Sequence, residues 1–302
     1  MKRLVLAAAV SAVLAACGDG SLDKKVLLIG LDGIRVDVLA EVPTPHLDSL
    51  IGAGLFSDAA QTADPTWSGP CWSSMLTGVW PDKHGVYNNR FEGKNYTTYP
   101  DFLTRLEQLD TAFNTFAVVD WLPLGWEVSG GPLLSDAIDR LLVFSGDQLG
   151  YADADSVSVL AAVEYLETAD PDAAFVYIGN VDEVGHATST LAPEYRAAME
   201  VADAHVGALV AAVRRRPTYA NEDWLILVST DHGRTDDGGH GGYSPQEATI
   251  FYLAAGPSVA RGAPAEPPGI VDVAVTALAH LGVEIDPAWQ LDGKVVGLAS
   301  RP

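Results

Sequence analysis

Five runs of apolar residues, at 25–31, 115–119, 174–178, 224–229 and 250–254, are continuously hydrophobic rather than alternating. A strand that is apolar at every position is covered on both faces, as strands are in a parallel sheet between helical layers. Between these runs apolar residues recur at three-or-four spacing. From 193 to 214, Met199, Ala202, Val206, Leu209 and Val213 line one helical face, and Pro193 stands near the start, where a missing N–H costs nothing. Val157, Leu160, Ala161 and Tyr165 repeat the pattern, and so does the stretch 271–281. Strand alternating with helix predicts an α/β fold with a mostly parallel central sheet sandwiched by helices. In such sheets ligands sit beyond the carboxyl ends of the strands. Asp32, Asp182 and the pair Asp231-His232 follow three of the runs, so three strands deliver carboxylates to one edge.

Length and charge narrow the reading. A chain of 302 residues with no internal repeat and no abrupt change of composition is expected to build one core. Its formal net charge of -22 argues against general binding to duplex nucleic acid. That field would also repel a phosphate substrate unless cations held in a cleft reverse it locally. Lys2 and Arg3 precede an apolar run at 4–16 that is short for a bilayer span, the pattern of an export signal. The run ends in Leu14-Ala15-Ala16-Cys17, which is similar to the bacterial lipobox, whose cysteine is acylated. The expected organisation is a lipoprotein signal peptide at 1–17, a tether at 18–25 and a catalytic domain at 26–302. The protein would then be exported and anchored through Cys17 on the extracytoplasmic or periplasmic face of a membrane. An ordinary secretory signal with a chance cysteine is the alternative. Cys71 is the only other cysteine, so no disulfide framework is expected.

The residues able to do chemistry fall into two groups. Asp182 and His186, four apart after a strand, could face one another across one helical turn and offer oxygen and nitrogen to a cation. Gly233 allows a sharp turn after Asp231-His232, and His240 lies in Gly238-Gly239-His240-Gly241-Gly242, a loop able to fold its imidazole over the same edge. Taken singly, Asp32 or Asp182 reads as readily as a helix cap, and His232 or His240 as a solvated side chain. Together, three carboxylates on one edge repel one another unless cations compensate them. The second group is the stretch from Pro65 to Gly78. Pro70 suits a first helical turn, which puts the Ser68 hydroxyl at a helix N-terminus, as an activated nucleophile or as an ordinary N-cap.

These residues carry a resemblance to the alkaline-phosphatase superfamily, and within it to the type I phosphodiesterase and nucleotide pyrophosphatase group. The matching pieces are Gly30-Leu31-Asp32-Gly33, Ser68 through Thr77-Gly78, Pro81, His84-Gly85, the Asp182 and His186 pair, Asp231-His232-Gly233 and His240-Gly241. Near the end, Gly269 to Ala274 and Leu291-Asp292-Gly293 are similar to the family's last helix and strand. The resemblance implies an alkaline-phosphatase-like core and two divalent metal ions, zinc being usual. One ion would be held by Asp32, Ser68, Asp231 and His232, the other by Asp182, His186 and His240. It also implies that Ser68 attacks phosphorus to give a phosphoserine, and that Asn89 donates to a nonbridging phosphate oxygen. A neutral amide there suits a small-molecule diester, with one charge fewer than a monoester.

Two departures stand out: serine replaces the usual threonine nucleophile, and Cys71 stands where asparagine is common. The short interval from His232 to His240 is that of compact members acting on phosphoethanolamine-type groups. A phosphomonoester hydrolase, a sulfatase and a non-catalytic binding lipoprotein are the alternatives. For a sulfatase Ser68 and Pro70 fit the modified-residue frame, but Trp72 replaces its arginine. Trp67, Trp72 and Trp121 read at least as readily as packing as pocket lining. His84 is expected to be structural, His46, His205 and His280 have no ligand partners in sequence, and Asp236-Asp237 reads as a solvated loop.

Overall fold

The structure is a computed structural model that describes residues 22–299. The stretch 1–17 read as a signal peptide, with Cys17 as the expected anchor, and the first part of the expected tether lie outside the described residues. One seven-stranded sheet carries the molecule, in the order β2-β7-β6-β1-β5-β3-β4. The strands are β1 (Asp23–Leu31), β2 (Leu55–Gln61), β3 (Thr115–Val119), β4 (Arg140–Val143), β5 (Ala173–Ile178), β6 (Glu222–Thr230) and β7 (Thr249–Ala255). β6, β1, β5, β3 and β4 pair in parallel, and for the first four the unbroken apolar runs predict it.

Helices cover both faces, and β1 shows why its apolar run is unbroken. Val26 and Leu28 enter one core with the helices Ser68–Thr77, Phe102–Leu109 and Asp272–His280. Leu27, Ile29 and Leu31 enter the other, with Pro45–Ala53, Tyr151–Thr168 and Pro193–Arg215. Successive side chains point to opposite faces of a strand, so a sheet with two cores needs apolar residues at consecutive positions. Met199, Ala202, Val206, Leu209 and Val213 are all buried on the Pro193–Arg215 helix, whose proline stands in its first turn. Among the described residues no helix is long and apolar enough to cross a membrane.

Four expectations are corrected. The 250–254 run is not parallel: β7 is antiparallel to β6, and β2 is antiparallel to β7. Burial on both faces is common to parallel strands and to this one, so hydrophobicity does not report direction. Strands β2 and β4 escaped the pattern, β2 because it is a half-polar edge strand and β4 because it has only four residues. The Tyr151–Thr168 helix turns a different face inward: Leu160 is 69% exposed and Val157 38%, whereas Ala154, Ser158, Ala162 and Leu166 are buried. Small residues on that face allow close packing on the Pro193–Arg215 helix. Finally, residues 23–25 of the expected tether belong to β1, where Lys24 and Lys25 pair in register with Asp223 and Trp224. Their charges are met by Asp223 for Lys24, and by Asp170 at 3.0 Å and Asp172 at 3.2 Å for Lys25.

His84 ties the Ser68–Thr77 helix to the following loop. Its Nδ1 accepts the Val86 N–H at 3.1 Å, so Nε2 carries the proton and faces Ser74 Oγ at 3.0 Å. Burial holds the His84 imidazole down, from its ordinary 6.5 to about 4. The native state therefore resists a proton that the unfolded chain accepts, so this histidine costs nothing above about pH 6.5 and destabilises the fold as pH falls towards about 4. In urea titrations across that window, His84→Gln should flatten the pH dependence of unfolding free energy by up to about 1.4 kcal/mol per pH unit. Coincident slopes for parent and variant would contradict this.

Candidate active site

The carboxyl edge of the sheet gathers the predicted residues. Asp32 follows β1, and Asp231 and His232 follow β6. Asp182 and His186 sit on the helix Asn180–Ala187 that follows β5, and His240 arrives from the glycine-rich loop. Donor atoms of Asp32, Asp231 and His232 lie within 4.8 Å of one another, as do those of Asp182, His232 and His240. Ser68 is the first residue of the Ser68–Thr77 helix, with Trp67 at the cap position, so it is not an N-cap.

His232 Nε2 is 3.2 Å from Ser68 Oγ, 3.4 Å from Asp32 Oδ1 and 3.3 Å from Asp231 Oδ2. A tetrahedral site with bonds of about 2.0–2.1 Å has donor–donor edges of about 3.3–3.4 Å. The three distances from His232 Nε2 are thus close to the edges of a cation's ligand shell. In the second group His186 Nε2 is 3.3 Å from Asp182 Oδ2 and 2.9 Å from His240 Nε2, and His240 Nε2 is 3.8 Å from Asp182 Oδ1.

Hydrogen bonding decides which atoms are available. Asp231 Oδ1 accepts from the N–H groups of Gly33 at 3.1 Å and His232 at 2.9 Å, while its Oδ2 has no partner. Asp32 Oδ2 accepts from Trp72 Nε1 at 2.9 Å and Tyr177 Oη at 2.6 Å, while its Oδ1 has none. His232 Nδ1 bonds the Gly233 carbonyl at 2.9 Å and His240 Nδ1 that of Thr66 at 2.8 Å. A carbonyl only accepts, so both Nδ1 atoms carry the proton and both Nε2 lone pairs face the site. Buried atoms without partners are rare in folded proteins; here two carboxylate oxygens share that condition a few ångströms apart, which fits a donor set for cations.

The same crowding shifts the acids. Burial, and then Asp182, push the Asp32 carboxyl up to about 7, against the pull of Tyr177 and Trp72. Burial, Asp32 and Asp182 drive Asp231 well above the carboxylate range, and burial and His240 hold His232 well below the imidazole range. Asp182 is the exception. Burial would raise it, but His186, Arg234, His232 and His240 together hold it far below its ordinary value. Cations in the site would relieve the first two acids.

Asn89 lies beside Ser68 in the cleft, where its Oδ1 accepts the Gly69 N–H at 2.7 Å, leaving the Nδ2 donor free for the cleft. A Cβ at Gly69 would fall 2.6 Å from the Asn88 carbonyl oxygen, so glycine is needed for that approach. Pro70 has no N–H, so the helix end brings mainly its dipole and the Ser68 N–H to the site. The cleft, about 200 Å³, is also lined by Trp67, Trp121, Tyr151 and Glu183. A larger groove of about 550 Å³, lined by Val42, Leu47, Ile51 and Phe56 among others, lies elsewhere and holds none of the predicted ligands.

Several roles were not legible in the sequence. Trp72, read as packing, is buried and also bonds Asp32. Tyr177 looked like one more strand residue. Arg234 is wholly buried, donates from Nη1 to Asp182 Oδ1 and from Nε to the Gly238 carbonyl at 2.8 Å; its place after Asp231-His232-Gly233 was its only signal. Trp67 is 39% exposed and forms part of the cleft wall with Trp121. Cys71 is buried, its Sγ 3.9 Å from the Ala63 and Pro65 carbonyls, and takes no place in the cleft. Asp236 is ion-paired with Arg35.

The sequence profile described as type I phosphodiesterase/nucleotide pyrophosphatase matches residues 26–237. Ectonucleotide pyrophosphatase/phosphodiesterase family member 7 of Mus musculus is 22% identical over 258 residues, 76% of this chain and 55% of that protein. An uncharacterised pyrophosphatase/phosphodiesterase of Schizosaccharomyces pombe is 25% identical over 238 residues, 72% of this chain and 46% of that protein. The chain spans about half the length of the curated relatives it matches. In fold it is similar to murine ectonucleotide pyrophosphatase/phosphodiesterase 5, solved as an inactive variant in complex with AMP. That match has a TM-score of 0.65 at 16% identity and covers 86% of this chain and 96% of that one. It is also similar to a 2-O GAG sulfatase, with a TM-score of 0.68 at 12% identity, over 91% and 73% of the two chains.

Asp231→Asn keeps the acceptor for Gly33 and His232 and turns an amide towards the partnerless Asp32 oxygen. In chelator, the variant is expected to be more stable than the parent by about 1–2 kcal/mol in chemical denaturation. A loss of stability would show that the crowded acids are not the strained element of the cation-free fold.

Proposed function

The chain belongs to the type I phosphodiesterase/nucleotide pyrophosphatase family, and from that membership we propose that it hydrolyses phosphodiester or pyrophosphate bonds of small molecules through a phosphoserine at Ser68. The observation that supports this most is Ser68 Oγ lying 3.2 Å from His232 Nε2, beside the partnerless oxygens of Asp32 and Asp231. The donors suit two divalent cations, one at Asp32, Ser68, Asp231 and His232 and one at Asp182, His186 and His240, with zinc matched to mixed oxygen and nitrogen ligands. Such ions, when bound, lower the pKa of a hydroxyl and neutralise charge on phosphoryl and leaving-group oxygens.

Ser68 Oγ gives up its proton and bonds to phosphorus as the bond from phosphorus to the leaving oxygen breaks, and the leaving oxygen takes up a proton. Water then attacks the same phosphorus, the bond to Oγ breaks and Ser68 is restored, so that one water has been added across one P–O bond. Asn89 Nδ2, fixed through its Oδ1 by Gly69, donates to a nonbridging oxygen in both steps. A diester is favoured over a monoester because no lysine or arginine lines the cleft among the described residues. Trp67 and Trp121 offer flat apolar walls to the organic group. For a sulfatase, Trp72 stands at the frame's arginine position, and its N–H is already committed to Asp32. The arrangement of Lys2, Arg3, the apolar run and Cys17 supports export and lipid anchoring as part of the same proposal.

Incubation with bis-p-nitrophenyl phosphate, p-nitrophenyl phosphate and p-nitrophenyl sulfate is expected to give turnover chiefly of the diester. Preference for the sulfate, or no turnover of any of the three, would overturn the assignment. Ser68→Ala should lower kcat by roughly 1,000-fold or more while metal content and thermal stability stay near the parent's. Full activity in that variant would remove the covalent route.

A further inference from the structure

The two oxygens of Asp32 are in opposite situations. Oδ2 takes two hydrogen bonds, from the Trp72 indole and the Tyr177 hydroxyl, and Oδ1 takes none. The donors are held with little freedom. Tyr177 is the cross-strand partner of Gly30, two residues before Asp32. A Cβ at Gly30 would fall 2.4 Å from Trp72 Cη2 and 2.5 Å from Cζ3, so the indole lies where only glycine leaves room. Trp72 and Tyr177 also meet edge to face, with ring centroids 5.1 Å apart. Both rings are buried, Trp72 completely. Packing therefore fixes two donors on a single carboxylate oxygen.

We propose that Trp72 and Tyr177 are positioning residues that hold Asp32 to one-oxygen coordination and so select a small four-coordinate cation over a larger one. The inference rests on reading this cluster as a metal centre. With Oδ2 saturated, only Oδ1 is presented to an ion, at the 3.4 Å spacing from His232 Nε2 that a tetrahedral shell requires. Calcium takes six to eight oxygens and commonly uses both oxygens of a carboxylate, which the two donors oppose here. Removing them frees Asp32 to rotate and to chelate with both oxygens. The site then loses order for zinc and gains an oxygen for calcium.

The test is metal binding by the full chain after chelator treatment, with zinc and calcium titrated separately by calorimetry or dialysis into the parent, Tyr177→Phe, Trp72→Phe and the double variant. Each single variant is expected to weaken zinc binding by about tenfold, with calcium binding unchanged or tighter, so the zinc-to-calcium affinity ratio falls by at least that factor. The melting temperature of each cation-free variant is read alongside. Should Trp72→Phe fail to fold, Tyr177→Phe decides alone, since it removes one oxygen and keeps the ring packing. A parent that binds zinc and variants with an unchanged ratio, including equal losses for both ions, would reduce the two side chains to a structural role and overturn the proposal. A parent that binds neither ion would instead overturn the metal-centre reading beneath it.

Discussion

Three carboxylates, those of Asp32, Asp182 and Asp231, crowd one end of a sheet whose strands are almost wholly buried. Like charges at that spacing away from water repel strongly, and the surrounding structure is arranged to bear this. One oxygen of Asp231 is saturated by backbone N–H groups and one of Asp32 by side-chain donors, and one of Asp182 takes a bond from Arg234. The remaining oxygens of Asp32 and Asp231 are left facing each other and His232. A rigid parallel sheet can hold such an arrangement because its strands end together and both faces are packed. A loop would move apart to relieve it.

The two cores serve this end differently. The face holding Trp72, Phe175 and Tyr177 approaches the site directly, through Gly30 and the indole laid over it. The other face supports the Asn180–Ala187 helix, whose Val181 packs in that core while Asp182 and His186 face the site. Sheet order matters here, since β6, β1 and β5 are adjacent and each contributes ligands at its carboxyl end. Strand β7, running the other way, closes the sheet beyond β6 with β2 and delivers no ligand.

The net charge of -22 gives the cleft chemistry a setting. An anionic substrate approaches against the field of the whole molecule, and no lysine or arginine among the cleft-lining residues offsets it. On the proposed function, cations held at the site would supply the attraction, and metal binding and substrate binding would then be coupled by charge. Under the same proposal a diester, with its smaller charge, would meet less of that opposition than a monoester, and the neutral Asn89 amide would match it.

How much of this could be read from the chain follows from what each feature depends on. Parallel layering, the long helix from Pro193, the gathering of Asp32, Asp182, His186, Asp231, His232 and His240 at one edge of the sheet, and the placing of Ser68 at a helix start were all legible. They rest on local period, on residue type and on position relative to a strand end, which are properties of neighbours in sequence. The direction of β7, the buried face of the Tyr151–Thr168 helix, and the parts played by Trp72, Tyr177 and Arg234 were not legible. Each depends on contacts between residues far apart in the chain: Trp72 with Gly30 and Asp32, Tyr177 with Asp32, Arg234 with Asp182. The sequence by itself determined which donors the site contains, because chemistry belongs to side chains. Only the tertiary structure decided which oxygen of each carboxylate remains free, because hydrogen-bond partners are chosen by packing in three dimensions.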